Sequence, residues 1–210
     1  MKYYLSSFRL GNHSAKLAEL AAGGPLAYIA NALDHIPNEE QRETQQRNRS
    51  DLEQLGIPFA ELDLRDFFSD NSKLHAELGR FTGVWISGGN TFVLRQAMKL
   101  SGFDLAIDKL RQTQFLYAGY SAGICVLAPD LHAIQVVDRP NTFPYPKCQE
   151  VTWEGLRILN YIILPHYKSD HPESADIDKE VEFCEANRIP YRTLRDGEVL
   201  FGDDIEVLNT

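Results

Sequence analysis

The sequence predicts an α/β fold: a doubly wound, mostly parallel sheet with helices on both faces and a small antiparallel β-meander at the C-terminal end. Three observations point there. Short apolar runs rich in β-branched and aromatic residues recur along the chain, and helix-forming stretches with polar faces separate them. The last strands are instead joined by Arg-Asp-Gly and Gly-Asp-Asp turn signals. The 210 residues are expected to form one domain, 1–210.

In order, KYYLSS (2–7), PLAYIAN (25–31), PFAELDL (58–64), GVWISG (83–88) and QFLYAGY (114–120) read as buried or half-buried strands. The stretches 13–22, 38–56, 71–81, 91–102 and 103–112 between and after them carry helix formers and glycine stops. Beyond them, HAIQVV (132–137) reads as a strand and DRPNTFPYPKCQEV (138–151) as a proline-rich loop. YIILPHY (161–167) reads as a strand interrupted by Pro165, PESADIDKEVEFCEANR (172–188) as a helix, and 191–208 as the meander.

Composition narrows the function. Hydrophobic residues at 43% and charged residues at 24% suit a globular protein. No apolar run approaches the ~20 residues that span a bilayer, and the N-terminal stretch lacks a small-residue cleavage site. A cytoplasmic protein without a membrane partner is the expectation. A net charge of -9 repels phosphate backbones and argues against nucleic acid as a partner. The three cysteines, Cys125, Cys148 and Cys184, form no C-x-x-C pair, so neither a disulfide framework nor a metal site is expected.

In doubly wound sheets ligands bind at the carboxyl ends of the parallel strands. Three such ends are punctuated by glycine or proline: SGGN (87–90), GYSAG (119–123) and LPHY (164–167). GYSAG has the G-x-S-x-G form of a strand–turn–helix corner that holds a serine hydroxyl outward. A serine needs a base, and His166, directly after an apolar strand, stands at the same rim as Ser121. The other five histidines lie in polar stretches or begin a strand. The N–H groups of Gly88, Gly89 and Ala122 could receive an oxyanion, while Asn90 or Thr91 could equally cap the following helix. Asp138, at the end of the expected strand 132–137, is favoured as the acid over Asp130, Glu150 and Glu154.

SGGNTF, then GYSAG opening a helix, then a strand ending in Pro-His, resemble the aspartyl dipeptidase and cyanophycinase family of serine peptidases. The resemblance runs from the first strand to the helix after His166. It implies a flavodoxin-like sheet related to class I glutamine amidotransferases, with Ser121 as nucleophile and His166 as base. It also implies an oxyanion hole of SGGN amides with Ala122. Two departures stand out. Ser87 replaces the first of the three glycines the family often has. The family's carboxylate-binding arginine has no counterpart after His166, where Lys168 is the nearest cation.

The expected function is hydrolysis of short peptides, including dipeptides with an acidic first residue, without a cofactor. Asn90 and Lys168 are the candidate substrate contacts. Two alternatives stay open: an esterase with the order Ser-acid-His, and a catalytically idle flavodoxin-like binding module. An exposed meander edge permits a homo-oligomer without indicating one.

Overall fold

The computed structural model describes residues 1–203. Its strands are β1 (Lys2–Ser6), β2 (Leu26–Ile29), β3 (Phe59–Glu61), β4 (Gly83–Ile86), β5 (Leu116–Tyr120), β6 (Ile162–Leu164), β7 (Tyr191–Thr193) and β8 (Val199–Gly202). Six of them form one sheet in the order β3-β2-β4-β5-β1-β8, parallel throughout except for β8, which runs antiparallel to β1. The register sets Ser6 opposite Tyr120, Gly119 opposite Ile86 and Ile86 opposite Ile29. The carboxyl ends of four parallel strands therefore share one rim.

Strand periodicity divides the core between two faces. Tyr4, Tyr28, Trp85 and Ala118 point to one face, where Leu17 and Leu20 of α1 (Ser14–Ala21) and Leu52 of α2 (Asn38–Gln54) cover them. Tyr3, Leu5, Ile29, Ile86 and Tyr117 point to the other. There they meet α3 (Leu74–Leu78), α4 (Thr91–Ser101), α5 (Phe103–Leu110) and α6 (Ala122–Cys125). α2 buries little besides Asn48, Asp51 and Leu52. Polar contacts help dock it: the Asn48 amide donates to the Tyr28 hydroxyl (3.2 Å) and accepts from the Tyr120 hydroxyl (2.9 Å). This satisfies polar groups inside the core and fixes the residue before Ser121.

Two expectations need correction. HAIQVV is not a strand: His132–Val136 is a 3-10 helix. The Asp130 carboxylate accepts from the His132 N–H at 2.8 Å, and this local turn overrides the β-branched composition. Among the described residues, the strands of the expected meander do not pair with each other. β7 pairs parallel with β6 in a separate two-stranded sheet, and β8 returns to β1. The turn between them is closed by the Glu198 N–H on the Arg195 carbonyl. Positions 204–208 of that expectation lie outside the described residues. α7 (Ser174–Asn187) follows β6 as expected. Among the described residues no helix is long and apolar enough to cross a membrane.

Candidate active site

β5 ends at Tyr120 and α6 begins at Ala122, leaving Ser121 alone at the corner with φ 49° and ψ −119°. A non-glycine residue holds such a conformation only where its surroundings impose it. Here they do. The Ser121 carbonyl accepts from the N–H groups of Ile124 (2.8 Å) and Cys125 (3.0 Å), and the Tyr117 hydroxyl caps the Gly123 carbonyl at 2.8 Å. A Cβ at Gly123 would lie 2.5 Å from the Ile86 carbonyl oxygen, so only glycine lets α6 start this close to β4.

The SGGN turn lies beside this corner. A Cβ at Gly88 would come within 3.0 Å of the Ser121 Cβ. Gly89 adopts φ 140°, a glycine conformation, with its own missing Cβ directed at the Ala32 carbonyl. Asn90 caps α4, its side-chain oxygen accepting from the Val93 N–H at 2.9 Å, while its amide donates to the Arg139 carbonyl at 3.2 Å. Both ends of that side chain are thus engaged in structure, although it borders the cleft. The Gly88 N–H faces the Tyr120 hydroxyl. The Ala122 N–H, first in its helix, has no acceptor within that helix.

His166 follows β6 by two residues, with φ 60° and 2% exposure. Its Nδ1 meets Asp196 Oδ1 at 2.7 Å. Ser7, directly after β1, braces the pair: its hydroxyl accepts from the His166 N–H (2.9 Å) and donates to the same Asp196 oxygen (2.9 Å). With Nδ1 bearing the proton toward a carboxylate, Nε2 keeps its lone pair. Burial pulls the His166 pKa below the ordinary 6.5, and neighbouring His171 adds to that. Asp196 pulls the other way. The His166 and His171 rings stack with centroids 3.7 Å apart, and Phe8 meets both edge-on. Glu173 Oε2 lies 3.9 Å from His166 Nε2; these two histidines and Glu173 form a set of potential metal ligands.

Ser121, His166, Gly88, Gly89 and Asp138 line one cleft of about 430 Å³. Asp138 is not the carboxylate on His166. Because 132–136 is helical, the Asp138 side chain turns to the start of α4 and accepts from the Thr91 N–H at 2.7 Å. Burial pushes its pKa up to about 7. Among the alternatives, Asp130 binds the His132 ring and Glu154 pairs with Arg157. The order Ser-acid-His draws attention to 122–165, and Asp196 lies beyond, inside what reads as an ordinary Arg-Asp-Gly turn. In the structure β8 begins opposite the end of β1, and this brings the preceding turn, with Asp196, to the rim where Ser121 stands. Lys168 is fully exposed, with its ammonium over the Tyr167 ring, and does not line the cleft. Two unforeseen cations do, Arg47 of α2 and Arg139. Neither has a carboxylate partner among the described residues.

Comparisons with known proteins bear on the family and the fold. The model of peptidase family S51 matches residues 25–209. An uncharacterised peptidase of Listeria innocua is 33% identical over 119 residues, 56% of this chain and 54% of that protein. The peptidase E of Streptomyces coelicolor is 30% identical over 187 residues, 86% of this chain and 69% of its own. The alignments with the two Listeria relatives thus span about half the length of those proteins. A crystal structure described as a peptidase E protein, from Listeria monocytogenes EGD-e, superposes with a TM-score of 0.78 over 96% of this chain and 93% of its own. At 22% identity that likeness speaks to the fold, which is the mostly parallel α/β architecture expected. From a family match that spans most of its length, the chain belongs to peptidase family S51.

Proposed function

We propose that the protein is a serine peptidase that hydrolyses short peptides through an acyl-enzyme on Ser121. The observation that supports this most is the His166–Asp196 pair at 2.7 Å, with the imidazole bordering the cleft that Ser121 lines. In this reading Ser121 Oγ attacks the scissile carbonyl and His166 Nε2 takes its proton. Asp196 stabilises the imidazolium that forms. The N–H groups of Gly89 and Ala122, with Gly88 beside them, receive the developing oxyanion. His166 then protonates the leaving amine, and water hydrolyses the ester by the same proton path. No cofactor enters these steps.

The cleft volume suits a small peptide better than a folded chain. Arg47 and Arg139 line it, so the carboxylate of an acidic first residue is the side chain they would favour. They would take the place of the arginine absent after His166, while Lys168 lies outside the cleft. The test is intact mass after treatment with a small phosphonyl fluoride, on the wild type and on Ser121→Ala and His166→Ala. One adduct on the wild type and none on either variant supports the reading and justifies a dipeptide screen. A folded wild type that takes no adduct and cleaves no dipeptide overturns it.

A further inference from the structure

We propose that His166, His171 and Glu173 form an inhibitory zinc site at the mouth of the catalytic cleft. Their ligand atoms all lie within 4.8 Å of one another. Glu173 Oε2 is 3.9 Å from His166 Nε2 and 3.8 Å from His171 Nδ1. All three residues line the cleft, which gives an ion its entry path.

The chemistry of the donor set selects the ion. Two imidazoles and one carboxylate suit a borderline-soft cation and leave a fourth position open, whereas magnesium and calcium call for more oxygen donors. His166 is prepared as a ligand: Asp196 holds its Nδ1 proton, and Nε2 makes no hydrogen bond among the described residues. A carboxylate behind a metal-binding imidazole fixes its tautomer and strengthens its lone pair.

Zinc bonds of about 2.0–2.1 Å in a tetrahedron set donor atoms roughly 3.3 Å apart, so the three groups must close by small side-chain rotations. The stacked rings, now 9° from parallel, must splay. His171 is the ring placed to move: it is only half-buried, in the segment between β6 and α7, and among the described residues its ring makes a single hydrogen bond, the 3.3 Å one that Nδ1 accepts from the Glu173 N–H and that a metal bound at Nδ1 would replace. His166, clamped by Asp196 and Ser7, stays.

The consequence for turnover rests on His166 being the base. The lone pair that would take the Ser121 proton is the one the ion occupies, so zinc and catalysis exclude each other, and a chelator restores activity.

The test is a titration of the metal-free full chain with zinc against a zinc-responsive dye, on the wild type, Ser121→Ala, His171→Ala and Glu173→Gln. The wild type and Ser121→Ala are expected to bind one zinc with equal affinity. His171→Ala and Glu173→Gln should each bind at least about tenfold more weakly. Glu173→Gln preserves side-chain shape, so it remains informative if His171→Ala fails to fold. Peptidase assays of the wild type, His171→Ala and Glu173→Gln with and without zinc, each against its own zinc-free rate, should show inhibition weakening in parallel. Absence of zinc binding by the wild type, or equal affinity in both ligand variants, overturns the proposal. A wild type that binds zinc as expected but hydrolyses no peptide refutes the peptidase reading while leaving the metal site standing.

Discussion

Replacing Asp196 by Asn tests how the proposed base is supported. Both the His166 Nδ1–H and the Ser7 hydroxyl meet the same oxygen, Asp196 Oδ1, so an asparagine that keeps its carbonyl there preserves the hydrogen bonds and the tautomer. What disappears is the negative charge facing the imidazolium. At the observed 2.7 Å, an effective dielectric of about 20 gives about 6 kcal/mol for that attraction. The Asp196 side chain is 22% exposed, and solvent screening reduces the figure to about 4 kcal/mol, or about 10³-fold in kcat/KM. The loss should fall on kcat, because the charge matters only once the proton has moved. Asp138→Asn, whose carboxylate serves the Thr91 N–H, should stay within about tenfold of the wild type. The assay is steady-state hydrolysis of the best dipeptide from the screen, with circular dichroism to confirm folding. Near-normal turnover in Asp196→Asn beside a thousandfold loss in Asp138→Asn would return the acid role to Asp138 and refute the argument.

Three further outcomes are expected. Ser121→Gly should be more stable than Ser121→Ala by about 1–2 kcal/mol in urea titrations, since glycine tolerates φ 49° and alanine does not; neither variant should hydrolyse peptide. Burial first, and then Asp138, push the Glu180 carboxyl from its ordinary 4.5 up to about 9. The folded state thus holds that proton more tightly than the unfolded chain, and stability falls as pH climbs from 4.5 towards 9. At pH 7 the penalty is on the order of 3 kcal/mol, so Glu180→Gln should stabilise the protein there and flatten its pH–stability profile; an unchanged profile would count against it. Because the His166 pKa is lowered, the acid limb of kcat/KM should lie below pH 6.5, and His171→Ala should move it upward by removing a neighbour that lowers it. The same depression means the His166 contribution to stability is lost as pH drops below 6.5, which thermal unfolding across that range would reveal.

The sheet and much of the cleft were legible because their signals are local. Glycine-punctuated strand ends set the rim, and G-x-S-x-G announces a corner that only a strand–turn–helix can make. His166 was legible for the same reason, as a polar residue directly after a buried strand. The acid was not. Asp138 looked well placed only while 132–137 read as a strand, and the Asp130 cap on His132 made that stretch helical. Asp196 depends on where a distant strand docks, and no spacing within 191–203 reveals that β8 pairs with β1 and not with β7. Arg47 and Arg139 were equally hidden. One sits on a polar helix held partly by Asn48, the other in a loop strapped to α4 by the Asn90 amide.

The Ser7 brace also bears on timing during synthesis. The Ser121 corner is closed by hydrogen bonds between residues close in sequence, but the His166 imidazole is held by the Asp196 carboxylate, in the turn before the last described strand, and the Ser7 hydroxyl directly after β1 braces that pair. A growing chain therefore presents Ser121 and then His166 before Asp196, which holds the proposed base, has emerged from the ribosome. Hydrolytic competence would arrive late, when β8 docks on β1 and closes that edge. In that reading, incomplete chains would carry a shaped but idle serine.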